Sequence, residues 1–267
     1  MFSPSDVVVV AVSGGKDSLA LWHALASLGY TTHGLYIDLG ISHHGYSAVS
    51  REKALAFSRQ HRLPLTVVSL ADEAGFTIDD HRRLGARTAC STCGLVKRYH
   101  MNRFALELNA TAIATGHNLD DETGVLLGNL LSWQTGYLAR QAPVLEERAA
   151  GFARKVKPLC EITERETAAY AFLTGIDYVV DECPYSVGAT SLFYKGLINQ
   201  LEHRSPGSKL RFYRGFLENR RAVLATPEPS IDTRCSRCGQ PSTVDPCAYC
   251  RLLERAHSQT SSGASAQ

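Results

Sequence analysis

Five valines in the six-residue run 7-VVVVAV-12, followed at once by 13-SGGKDS-18, constrain the fold of this chain more than any other feature. A strand with no polar alternation is apolar on both faces, which suits a parallel sheet covered by helices on each side. Leu21, Trp22, Leu25 and Leu28 then recur at helical spacing, and Gly29 is placed to stop that helix. The glycine pair therefore sits where a buried strand hands over to a helix. Backbone N–H groups of such a turn, the positive end of the helix dipole and the hydroxyls of Ser13 and Ser18 together favour an anion. The GxxxxGK(S/T) and GxGxxG spacings are absent, so this is neither a Walker loop nor a dinucleotide fingerprint. For a glycine pair alone, a tight bend without a ligand is the competing reading.

The same beat continues along the chain. A second strand is expected at 33-HGLYID-38, a helix from Ala48 to His61, and a third strand at 65-LTVVSL-70 after Pro64. Helical spacing resumes from Leu95 to Leu108, 111-TAIAT-115 reads as a strand, and 116-GHNLDDETGVLLGNLL-131 as a helix capped by Asn118 or Asp120. Residues 133–154 favour neither period. Glu161 to Leu173 is helical and 176-IDYVV-180 is expected to be the fifth strand. Alternating strands and helices predict a doubly wound, parallel, five-stranded α/β sheet of Rossmann-like type. We divide the chain into an α/β domain at 1–185, a basic helical segment at 186–230, a four-cysteine knuckle at 231–256 and a disordered Ser/Gly/Ala/Gln tail at 257–267. Pro227 and Pro229 mark the boundary before the knuckle.

The 267 residues carry a net charge of only +2, so a nucleic-acid partner must be argued from where charge sits. No apolar run approaches the roughly 18 residues needed to span a bilayer, and Met1 to Asp6 carries no signal-peptide pattern. No membrane association is expected and a cytoplasmic location is. There, eight cysteines point to metal rather than disulfides. Cys235-x2-Cys238-x8-Cys247-x2-Cys250 has the paired spacing of a zinc ribbon, a closed Zn²⁺ site that serves structure. Cys90 and Cys93 form a further CxxC, for which Cys183 in 182-ECPYS-186 is the natural third ligand; two buried free thiols are the bland alternative. Three thiolates leave one iron of a 4Fe-4S cluster open to an outside sulfur. Cys160 is left over as a core thiol.

SGGKDS in this setting resembles the PP-loop of the ATP pyrophosphatases, a HUP-like fold whose members cleave ATP between its α and β phosphates and adenylate an oxygen of their substrate. That resemblance assigns ATP to Ser13, Gly14, Gly15, Lys16, Asp17 and Ser18, its adenosine edge to Ala11 and Ile37, and a further contact to Gly116. Together with 35-LYIDLGI-41, 90-CSTCGLVKR-98 and 116-GHNLDDE-122, the chain resembles the tRNA 2-thiouridine synthetases, relatives of the 2-thiocytidine enzymes, from about Val7 to Arg251. The resemblance implies a 4Fe-4S cluster on Cys90, Cys93 and Cys183. It further implies action at ATP and the target base by Lys97 and Asp121, with Asp120 serving magnesium or, by preference, a helix cap. Lys97 would neutralise charge on the α-phosphate, and Asp121 would orient the substrate or handle a proton. The cofactors so implied are ATP, Mg²⁺, the cluster and Zn²⁺. The partners are tRNA and a sulfur donor, either a protein or inorganic sulfide, with homodimerisation through the C-terminal helices a family expectation. Members of that family typically carry another zinc module ahead of the first strand, for which this sequence has neither residues nor cysteines.

The segment 203-HRSPGSKLRFYRGFLENRR-221 interleaves Lys and Arg with Phe212, Tyr213 and Phe216, and Arg82, Arg83, Arg87 and Arg98 lie near the cluster cysteines. Such a pattern suits an RNA backbone with a stacked base, or equally a core face with solvated cations. Competing functions are thiolation of a small molecule or nucleobase by the same chemistry, amidation with ammonia, and a non-catalytic RNA-binding nucleotide sensor.

Overall fold

A computed structural model describes residues 1–85, 88–145, 151–223 and 233–263. Arg87 and the prolines at 227 and 229 lie outside them. The chain opens with β1 (Val7–Val12), α1 (Lys16–Ser27), β2 (Thr31–Asp38), α2 (Tyr46–His61), β3 (Leu65–Ser69) and the short α3 (Leu70–Ala74). It continues through α4 (Ala89–Glu107), β4 (Ala112–Thr115), α5 (Leu119–Leu131), α6 (Thr135–Leu138), β5 (Val144–Leu145) and β6 (Lys155–Val156). Helices α7 (Glu164–Leu173), α8 (Thr190–Arg204), α9 (Ser208–Val223) and α10 (Ala248–Gly263) complete it.

The sheet has six strands in the order β3-β2-β1-β4-β6-β5, parallel except for β5. The valine strand is central, with Val8 opposite both Thr32 and Ala112. Its alternation explains its composition. Val8, Val10 and Val12 join Leu21, Trp22, Phe57 and Ala171 in the core beneath α1, α2 and α7. Val9 joins Phe104, Ala105 and Ile113 beneath α4. Val8, Val9, Val10 and Val12 are all buried, two-sided cover that a polar residue in the middle of the strand would disrupt.

Three expectations are corrected. Residues 176–180 form no strand, because the sheet position beside β4 is taken by Lys155–Val156, just past the stretch 133–154 that favours neither period. The 176–180 segment instead runs past the glycine turn, where Val179 N–H donates to Gly14 O at 2.9 Å. With Val144–Leu145 added as an antiparallel edge strand, the strand count among the described residues becomes six. Helix α10 continues to Gly263, through residues expected to be a disordered tail. No helix among the described residues is long and apolar enough to cross a membrane.

The basic segment turns inward. Tyr213 is fully buried, and Phe212 and Phe216 pack against the cluster of Leu119, Leu126, Leu138 and Cys160, so these rings form core rather than a platform for bases. Cys160 is the buried core thiol expected of it.

Candidate active site

Strand order reverses between β1 and β4, and in open α/β sheets ligands bind at such a switch point, beyond the strands' carboxyl ends. A cavity of about 320 Å³ lies there. Its wall includes Ala11, Ser13, Asp17, Ser18, Ile37, Lys97 and Gly116, together with Met101, Thr115 and His117. Residues far apart in sequence and expected to share a ligand thus share one space.

The turn is shaped by short contacts. Gly14 has φ +76°, and a β-carbon there would lie 2.3 Å from Ser50 O. No other residue type fits without moving α2. Ser18 Oγ donates to Gly15 O at 2.9 Å and accepts from Ser13 N–H at 3.1 Å, closing the turn. A β-carbon on Gly116 would lie 2.9 Å from Asp17 C and Ser18 N, so the end of β4 presses on the first turn of α1.

Four alternating charges then join the phosphate turn to the DD motif. Lys16 Nζ lies 2.6 Å from Glu164 Oε1, Glu164 Oε2 lies 2.9 Å from Lys195 Nζ, and Lys195 Nζ lies 2.9 Å from Asp121 Oδ1. Burial works against ionisation of Glu164, yet hydrogen bonds from Lys16 and Lys195 hold its carboxyl down at about 2. Glu164 and Lys195 escaped the sequence reading because each is defined by partners distant in the chain. Stability from this carboxylate is present above the ordinary value of 4.5 and is lost as pH falls through about 2. Glu164→Gln is therefore expected to unfold more easily than the parent at pH 7, with the gap narrowing as pH falls from about 4.5 towards 2, as read by urea titration.

Asn118 is the cap of α5: its side chain accepts from Asp121 N–H at 3.0 Å, and Asp121 Oδ2 accepts from Asn118 N–H at 3.2 Å. Asp120, the other cap candidate, is buried instead, accepting from Glu164 N–H at 2.9 Å and from Lys209 Nζ at 2.5 Å. Asp121 is outside the cavity wall.

Cys90, Cys93 and Lys97 occupy positions i, i+3 and i+7 of α4, hence one face, over about 10 Å of helix. Cys183 meets them from the segment after α7. Burial pushes its thiol up, the N–H of Tyr185 opposes, and the neighbouring Cys93, Lys97 and Cys90 all act on it. Cys90 Sγ lies 3.5 Å from Tyr185 O. A cluster whose irons and sulfides fill its middle fits such loosely converging thiols. Cys235, Cys238, Cys247 and Cys250 are tighter, with ligand atoms all within 4.8 Å of one another. Cys235 and Cys250 sulfurs stand 3.8 Å apart, and Cys238 and Cys247 sulfurs 3.7 Å. A tetrahedron with zinc–sulfur bonds of about 2.3 Å has edges of about 3.8 Å, so the four fit a zinc ion. Cys247 N–H also donates to Cys235 Sγ at 3.3 Å.

The PP-loop domain family matches residues 3–188. The tRNA-5-methyluridine(54) 2-sulfurtransferase of Thermus thermophilus is 49% identical, over 95% of this chain and 78% of its own. Cytoplasmic tRNA 2-thiolation protein 1 of Bos taurus is 34% identical, over 95% of this chain and 75% of its own. Among solved structures, the U34-tRNA thiolase NcsA from Methanococcus maripaludis with its 4Fe-4S cluster superposes with a TM-score of 0.79 at 26% identity, covering 94% of this chain and 81% of that one. With its glycine turn, its cavity at the strand switch and its paired cysteines, the chain belongs to the PP-loop family of tRNA 2-thiolation sulfurtransferases.

Proposed function

We propose that this protein replaces the C2 oxygen of a tRNA pyrimidine with sulfur, by ATP-dependent adenylation followed by displacement of AMP. The observation that carries the proposal is the sharing of one cavity by the glycine turn and Lys97, with Cys90 and Cys93 on the same face of α4. Ser13 to Ser18 and Gly116 hold the phosphates, Ala11 and Ile37 the adenosine, and Mg²⁺ offsets the triphosphate charge. A carbonyl oxygen is a poor leaving group, and its adenylate is a good one. Lys97 neutralises charge on the α-phosphate, and Asp121, held by the α5 cap and Lys195, orients the substrate. Cys90, Cys93 and Cys183 hold a 4Fe-4S cluster, which presents sulfur at its open iron when bound. Cys235, Cys238, Cys247 and Cys250 hold Zn²⁺. We assign the reaction to the cytoplasm, with sulfide from a protein donor or free in solution, and we retain the homodimer as a family expectation.

The three relatives at 49%, 44% and 39% identity are all named for 5-methyluridine at position 54, which makes that base our proposed target. Anaerobically reconstituted protein with ATP, magnesium, sulfide and tRNA is expected to yield AMP and a thionucleoside that maps to position 54. Thionucleoside formed without tRNA would instead favour the small-molecule reading. A Cys90/Cys93/Cys183→Ala triple variant is expected to lose the broad visible absorption and the thionucleoside, yet to keep its zinc and tRNA-dependent pyrophosphate release. Zinc lost with the cluster would overturn the division between the two cysteine sets.

A further inference from the structure

Adenylation as proposed above, on which this inference rests, needs a proton acceptor beside the base. A pyrimidine C2 oxygen that attacks phosphorus must shed the N3 proton, or the adenylated ring carries a positive charge.

The ionisable groups near the cavity can be taken in turn. Asp121 is committed at both oxygens, to Lys195 and to Asn118 N–H, and does not line the wall. Asp17 accepts from Thr167 Oγ1 at 2.5 Å and pairs with Lys16. The Tyr36 hydroxyl is bound to Ser47 O and Ser50 Oγ, and burial pushes it up to about 12. Burial likewise raises Tyr46. Lys97 is a cation with a role at phosphate. His117 remains. Its Nδ1 lies 2.8 Å from Thr115 Oγ1, which fixes the ring at the end of β4. The residue lines the cavity and is exposed, so an incoming base can reach its ring.

We infer that His117, through Nε2, takes the N3 proton of the target base as O2 attacks the α-phosphorus. The O2–P bond forms and the bond from the α-phosphorus to the bridging β-oxygen breaks, with pyrophosphate leaving on that electron pair. The electrons freed at N3 close a C2=N3 double bond, and the imidazolium gives its proton to solvent before sulfur arrives. Although the residue is exposed, desolvation by the surrounding side chains lowers this imidazole from its ordinary 6.5, which favours the neutral, receptive form at pH 7. Lys157 beside β6 and Lys97 on α4 press in the same direction, while Asp121 and Glu122 on α5 oppose them.

The test is single-turnover pyrophosphate release at saturating ATP, with ATP affinity measured separately by equilibrium dialysis. His117→Gln retains a hydrogen-bonding group for Thr115 but cannot accept the proton, so its rate is expected to fall about 10²–10⁴-fold with ATP affinity unchanged. The acid limb of the wild-type rate, below 6.5, should vanish in this variant, and added imidazole should restore part of the rate to His117→Ala. A His117→Gln rate equal to wild type, or a loss of rate matched by an equal loss of ATP affinity, overturns the inference. Wild-type pyrophosphate release that does not need tRNA overturns the tRNA reading and this inference with it.

Discussion

Stripping the zinc proposed for the four-cysteine centre, or replacing Cys238 by serine, is expected to abolish tRNA-dependent AMP formation as well as to unfold the knuckle. The centre was expected to be a separate domain, yet its buried thiols share one apolar cluster with Ala89 and Val96 of α4. Tyr249, between Cys247 and Cys250, stacks on Tyr99 at 3.7 Å and 14°, and its hydroxyl lies 3.1 Å from His100 Nε2. From the other side, Asn102 donates to Gln240 at 2.5 Å. Helix α4, which carries Cys90, Cys93 and Lys97, thus has the knuckle as its outer support. Structural zinc contributes about 10–16 kcal/mol of apparent binding free energy to small domains, far more than the contacts that remain without it. Chelation should therefore lower the thermal midpoint and the helical circular dichroism together, with both restored by zinc. AMP formation that survives complete zinc loss would show the knuckle to be an independent appendage.

Lys209→Met is expected to cost about 3–5 kcal/mol of unfolding free energy, because it leaves the Asp120 carboxylate buried without its cation. The two side chains are only 7% and 4% exposed and lie 2.5 Å apart, so water cannot replace the lost partner. The pair joins α9 to the first turn of α5, and the other Asp120 oxygen holds the Glu164 N–H at the start of α7. Adding Asp120→Asn removes both charges and is expected to recover much of the loss, a coupling that urea titrations of the four chains would measure. Arg214→Ala breaks an ion pair that is exposed on both sides, with Glu161, and should leave the midpoint where it was. Equal effects at the two sites would mean that Asp120 finds another partner.

Much of the site was legible because its signals are local. The unbroken valine run required cover on both faces, and SGGKDS at its end placed an anion-binding turn there. The intervals of Cys235, Cys238, Cys247 and Cys250 predicted one four-thiolate group, and their ligand atoms do lie within 4.8 Å of one another. Cys90, Cys93 and Lys97 share a helix face by spacing alone. Thr163 and Glu166 form a capping box that marks the start of α7, a pattern readable in the sequence. His117 stood within the quoted GHNLDDE motif, but only the cavity wall singles it out.

What the sequence by itself determined was the order of chemistry along the chain: the buried strand, the phosphate turn, the two thiolate sets and the helices between them. These follow from backbone conformation, side-chain period and ligand spacing, which act over a few residues. Only the tertiary structure decided which charges face one another. Lys16 meets Glu164 and Lys209 meets Asp120 from opposite parts of the sequence, and a two-residue strand, Lys155–Val156, takes the place expected of 176–180. Electrostatic pairing and strand order depend on distance in space, and burial decides whether a basic residue such as Lys209 serves the surface or the core.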